Sequence, residues 1–219
     1  MGFSFHKYGF DFSLKHHAAV LEEFLGQLKE HKPFVMCPSC SAALTCSRVA
    51  SRRPDLISNV VIIQSGDHHE QKKWMTKSID YKGLLSKPYI GQILNYFMRY
   101  KFGTVWLKIA VADRAVSRQW SDIVKKSLDN GAMFTLASYI QQMLPNPQHF
   151  HSRMLQPTKI IYGLKDGSHN RAGTNFETAG NWATGEVTYV QFPECAHFPE
   201  LEDPDNFCKL LIEIARSNL

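Results

Sequence analysis

Apolar residues recur at two periods along this chain, and the switch between them predicts its elements. From Ser13 to Lys29, apolar Leu14, Ala18, Leu21, Leu25 and Leu28 fall at helical spacing, with Ser13 placed to cap the first turn. Pro33 ends that pattern, and Phe34-Val35-Met36-Cys37 is a short apolar run of the kind buried in a parallel sheet. Ser41 to Arg52 returns to helical spacing through Ala42, Ala43, Cys46, Val49 and Ala50, and Pro54-Asp55 closes it before a second run, Val60 to Gln64. The alternation resumes late. Lys159 to Gly163 and Val187 to Phe192 predict a third and fourth strand, and Asp203-Pro204 opens a last helix with Phe207, Leu210, Leu211 and Ile214 on its buried face.

Helix, strand, helix, strand in this order predicts an α/β protein, with a mostly parallel sheet of four recognisable strands joined by right-handed crossovers and flanked by helices. Between the second and third strands the chain reads as several helices with many Met, Phe, Tyr and Trp, an insertion resembling a lid. The expected organisation is a core of residues 1–65 and 158–219 and a helical lid or cap over residues 66–157. Neither internal repeats nor low-complexity tracts are present.

Composition narrows the function classes. Of 219 residues, 44% are hydrophobic and 21% charged, the balance of one globular domain, alone or with a lid. The net charge of +5 is scattered apart from Arg52-Arg53 and Lys72-Lys73, whereas nucleic-acid binding needs a clustered basic face, so no nucleic-acid partner is expected. No apolar run approaches the ~20 residues of a membrane span, and the start MGFSFHKYGF lacks a signal peptide's apolar core, so a cytoplasmic location is expected. Five cysteines at irregular spacing predict reduced thiols.

Three strings carry candidate chemistry. In PFVMCPSCSAALTCSRVASRRPDLISNVVIIQ a strand runs through a turn of small residues into a helix and a second strand. In PTKIIYGLKDGSHN a strand ends at Gly163 with Asp166 in the following turn, and in FPECAHFPELEDPDNFCKLLIEI His197 sits between the last strand and an aromatic-acidic turn. The first string resembles the nucleophile elbow of α/β-hydrolases, the second their acid turn and the third their histidine loop and final helix. The order nucleophile, acid, histidine is also that family's order. The resemblance implies hydrolysis of an ester or related acyl bond with Ser39, Asp166 and His197 as a Ser-His-Asp type triad. A serine hydroxyl is a poor nucleophile at neutral pH, so a histidine must take its proton and a carboxylate must hold that histidine in the right tautomer.

The elbow admits two registers, because CPSCSAA has no glycine and departs from the family's G-x-S-x-G. With Ser39 as nucleophile, Cys37 and Ser41 take the glycine positions and the Cys40 amide donates to the oxyanion. With Cys40 as nucleophile, strand and helix align with the usual family pattern without a gap, and a Cys nucleophile at this turn resembles the dienelactone-hydrolase branch. Pro38 before Cys40 is awkward for the bend, which favours Ser39. Asp67, just after the second strand, is the alternative acid.

The family fold normally begins with four more strands and a loop supplying a second oxyanion donor. The start of this chain resembles the segment after the fourth of those strands. Losing one such donor costs about two to three powers of ten in rate. Weak or absent catalysis, a truncated form, or a homo-oligomer or partner covering the exposed sheet edge are the expectations that follow. Two rivals come from other classes. One is a non-catalytic hydrolase-fold protein binding an apolar ligand. The other is a thiol-disulfide redox protein, since Cys37-Pro-Ser-Cys40 is a C-x-x-C before a helix. No cofactor and no metal is expected. In the lid, Tyr96, Phe97, Met98 and Trp106 offer apolar surface for a small hydrophobic acyl or aromatic substrate.

Overall fold

The computed structural model of the protein describes residues 13–28, 33–143 and 153–216. Residues 1–12, the first part of the opening stretch compared with the segment before the elbow, lie outside the described residues. Helix α1 (Leu14–Gln27) starts where Ser13 accepts from the His16 amide, and strand β1 (Phe34–Met36) follows. Helix α2 (Ala42–Arg52) leads into β2 (Ile57–Ile63), and a long helical segment separates β2 from β3. That segment contains α3 (His68–Trp74), α4 (Ile90–Ala110), α5 (Arg114–Ser127) and α6 (Met133–Ser138). Strand β3 (Thr158–Gly163), α7 (Gly167–Ala172), β4 (Val187–Phe192), the short α8 (Pro199–Glu202) and α9 (Pro204–Arg216) complete the chain.

The four strands form one parallel sheet in the order β1-β2-β3-β4. Because successive strand residues face opposite ways, each central strand feeds two cores. Val60, Ile62 and Ile160 pack with Leu14, Ala18, Leu44 and Val49 of α1 and α2, while Val61, Ile63 and Ile161 pack with Phe207 and Ile214 of α9. Helices therefore cover both faces, which is why Val60 to Ile63 of β2 and Ile160 to Tyr162 of β3 are consecutive apolar residues rather than alternating ones. The edge strand β1 is only half-buried.

The strand ends sit close to the loops that follow them. At Gly163 an added Cβ would lie 2.0 Å from the Ala196 carbonyl oxygen and 2.5 Å from that of Cys195. This glycine lets β3 end directly against the loop that carries His197. Replacing it should force those backbones apart: Gly163→Ala is expected to cost about 1–3 kcal/mol, read as a lower urea midpoint, while Gly26→Ala, where the added atom meets nothing within 4 Å, should not destabilise.

Candidate active site

The turn after β1 is tight. Ser39 bridges Ile63 beside the end of β1, and the Cys40 amide donates to the Ile63 carbonyl at 2.8 Å. Cys40 then takes a left-handed backbone conformation, with φ at 51°, and amides of Ala42 and Ala43 turn back onto the carbonyls of Ser39 and Cys40 as α2 begins. A residue with a Cβ in this region costs of order 1–3 kcal/mol and persists only where its surroundings impose it. Ala43, Val49 and Ala50 are fully buried, so small side chains let α2 lie close to the sheet.

Asp166 caps α7 and is fully buried. Its Oδ1 accepts from the amides of Ser168 and His169, at 2.9 and 3.1 Å, and from the Ser168 hydroxyl at 2.7 Å. Its Oδ2 accepts from Nδ1 of His197 at 2.6 Å, Nδ1 of His169 at 2.7 Å and Nε2 of Gln64 at 3.1 Å. Burial alone would raise this carboxyl's pKa, but the two histidines hold it well below the usual carboxylate range. An ionised carboxylate only accepts, so both imidazoles present Nδ1–H to it.

His197 is fixed from three sides. Its backbone amide donates to the Ala110 carbonyl, at the end of α4, at 2.7 Å. Glu202 accepts from the amides of Ala112, Ala196 and Phe198, tying the histidine loop to the α4–α5 connection. Trp106 and Phe198 meet the imidazole edge-on at 5.2 and 4.8 Å. Burial of the ring works against its protonation, yet the neighbouring Cys40 side chain and the Asp166 carboxylate outweigh it and raise the His197 pKa to about 10. Since Nδ1 is held by Asp166, Nε2 is the nitrogen left to face the sulfur. His169 behaves oppositely: burial lowers its pKa despite Asp166, and it stacks on Trp74 at 4.4 Å. Its Nε2 is buried without a hydrogen-bond partner, as suits an unprotonated nitrogen.

The structure thus places Asp166 on one side of His197 and Cys40 near its other side. Ser39, although adjacent, has a buried hydroxyl with no hydrogen-bond partner. The Cys40 amide is engaged by Ile63, because the turn's apex falls one residue later than the Ser39 register requires, so it is not free to donate to an oxyanion. Asp67 caps α3 by accepting from the Glu70 amide. Of the residues expected to face substrate, only Trp106 reaches His197; Tyr96 and Phe97 are exposed and Met98 is half-buried. Three residues here escaped the sequence reading. Gln64 and His169 bind the acid, and Glu202 ties the histidine loop. The only hints were a polar residue closing an apolar strand, one histidine among ten, and an acid within the aromatic-acidic turn.

Among the described residues, Asp166, His169 and His197 are the one group of three metal-ligand side chains found together. Both Nδ1 atoms are directed at a single carboxylate oxygen at hydrogen-bond length. A zinc ion would need each donor at about 2.0–2.2 Å from a common point. The group fits a hydrogen-bonded cluster and not a metal centre.

No protein-family model and no curated protein sequence matches the chain. Solved structures do. A protein described as an α/β hydrolase from Nostoc sp. superposes with a TM-score of 0.73 at 14% identity, over 92% of this chain and 72% of that one. A protein described as an acyltransferase from Salmonella enterica gives 0.74 at 16%, over 95% and 72%. One described as an epoxide hydrolase from Pseudomonas aeruginosa gives 0.74 at 16%, over 96% and 74%. The chain has the α/β-hydrolase fold. Among the described residues, no helix is long and apolar enough to cross a membrane.

The ionisation pattern sets a pH dependence of stability. A carboxyl depressed by folding stabilises fully above its unfolded pKa of about 3.9 and ceases to as the pH falls below it. His169, with its lowered pKa, weakens the fold further below about 6.5. His197, raised to about 10, stabilises fully below about 6.5 and loses that contribution as the pH rises through its folded value. Urea midpoints should therefore fall at both ends. Asp166→Asn should flatten the acid limb, and His197→Gln the alkaline one between pH of about 6.5 and 10; an unchanged alkaline limb in His197→Gln would remove the pairing with Cys40 as its source.

Proposed function

We propose that the protein hydrolyses an ester or related acyl bond through a Cys40–His197–Asp166 triad. The observation that carries this reading is the left-handed Cys40 at the apex of a strand-to-helix turn, with its thiol against a histidine whose other nitrogen is held by a buried carboxylate. Ser39, the nucleophile in the other register, has neither the apex conformation nor a hydrogen bond to the imidazole.

In the proposed reaction the Cys40 thiolate attacks the acyl carbon, and the carbonyl oxygen gathers negative charge. With Cys40 at the apex, the donor to that oxygen moves to the amide of Ser41, one residue beyond the nucleophile. As the tetrahedral centre collapses, imidazolium His197 gives its Nε2 proton to the departing alcohol, leaving a thioester. Water then attacks the thioester, His197 takes the water's proton, and the acid leaves as the thiolate and imidazolium are restored. Asp166 keeps the imidazole in the tautomer both steps need. The helical segment between β2 and β3 serves as the lid, and Trp74, Trp106 and the Ala110 carbonyl are its contacts with His197.

The redox alternative finds less support. In a C-x-x-C oxidoreductase the cysteine nearer the N-terminus is the thiolate, whereas here partial desolvation of the otherwise exposed Cys37, with Glu200 nearby, raises its pKa.

Turnover of p-nitrophenyl acetate and longer p-nitrophenyl esters tests the assignment. Cys40→Ala and His197→Ala should each lower kcat by about a thousandfold or more, and Ser39→Ala by less than about tenfold. Loss confined to Ser39→Ala would return the nucleophile to Ser39. Saturable binding of an apolar ester without turnover by the parent protein would favour the non-catalytic binding protein instead.

A further inference from the structure

Helix α4 ends against the histidine loop, but its first half turns aromatic side chains toward solvent. Tyr89, Ile93, Tyr96, Phe97 and Tyr100 are exposed, with Phe97 at 77% and Tyr89 at 82%. Their spacing of three and four residues places them on one face. Tyr89 sits at the helix start with φ at 65°, a left-handed conformation that a tyrosine adopts only against strain. Tyr96 and Phe97 meet edge to face at 5.3 Å, and the Arg99 guanidinium lies over the rings of Tyr96 and Tyr100 while pairing with Asp129. A row of large rings thus faces outward where a solvated helix would carry polar groups.

Charge shows what this face suits. From Lys82 to Ala112 the chain has five basic residues and no acidic one. Lys101 and Lys108, both exposed, continue the row of Phe97 along the helix, and exposed Lys87 stands just before Tyr89. Residues 66–157 as a whole carry thirteen Lys and Arg against six Asp and Glu, so the protein's excess of positive charge lies on this segment. A symmetric contact between two copies would bring like-charged lysines together across the same patch. An anionic bilayer offers the opposite: a headgroup layer in which tyrosine and phenylalanine rings settle while ammonium groups meet phosphates.

We propose that the outer face of α4 docks on an anionic phospholipid surface. Docking would place the lid against the bilayer while the same helix touches His197 through Trp106 and the Ala110 carbonyl. The substrate class that follows is an acyl ester resident in the membrane, a step that rests on the hydrolase reading above.

Co-sedimentation of the full chain with phosphatidylcholine vesicles, with and without phosphatidylserine, tests the docking independently of catalysis. Binding is expected only where phosphatidylserine is present, and it should weaken as salt is raised. Phe97→Ser with Tyr89→Ser, and separately Lys87→Glu with Lys101→Glu, should each weaken binding about tenfold or more while the urea midpoint stays at the parent value. Equal binding to both vesicle types, or none to either, overturns the proposal. So does a dimer in sedimentation equilibrium that Phe97→Ser converts to monomer, because the face would then be a contact between copies. Vesicle binding that survives Cys40→Ala, in a protein whose parent cleaves no ester in solution or in the bilayer, would keep the docking and discard the hydrolase reading.

Discussion

A carboxylate without access to water is the constraint around which this protein is arranged. Asp166 is fully buried, and an ionised group in that position is tolerable only when its oxygens are saturated with donors. Six donors converge on it from the end of β2, the first turn of α7 and the loop after β4. Removing any one of these elements leaves a charge partly unpaired, so the acid couples the sheet ends to one another as well as holding His197. The neighbouring aromatic rings, Trp74 on His169 and Trp106 on His197, keep water from competing for those bonds.

The elbow solves a different problem with the same economy. A strand must reverse into a helix within a few residues while one side chain stays poised above the sheet. Glycine would make that turn without strain, and this chain has none there. The strain at Cys40 is borne by its amide bond to Ile63 and by the small, buried alanines of α2. Pro38 does not obstruct the turn, because its carbonyl accepts from the Ile63 amide while its missing amide hydrogen is not called upon.

The helical segment after β2 is tied to the loop that carries His197. Through the Ala110 carbonyl and the Glu202 carboxylate it fixes the backbone on both sides of His197, so the position of the imidazole depends on where α4 ends. A displacement of that helix would be felt at the histidine directly. This gives the aromatic outer face of α4 a mechanical connection to the site without any intervening network.

Periodicity along the chain was enough to determine the elements that neighbouring residues decide for themselves. Four strands, the Ser13 cap, the helix opened by Pro204 and the parallel order all follow from apolar spacing and local capping, which act within a few residues. The positions of Asp166 in a turn and of His197 in a loop were also legible, because each stands immediately after a recognisable strand. What required the tertiary structure was which residue stands at the apex of the turn after β1 and what surrounds Asp166 and His197. Ser39 and Cys40 are adjacent, and only the pairing of β1 with β2 sets which of them reaches the apex facing His197. Gln64 lies about a hundred residues from the acid it binds, and the direction in which Tyr96 and Phe97 point depends on how α4 packs. Such contacts join segments far apart in the chain, so no pattern within either segment could have disclosed them.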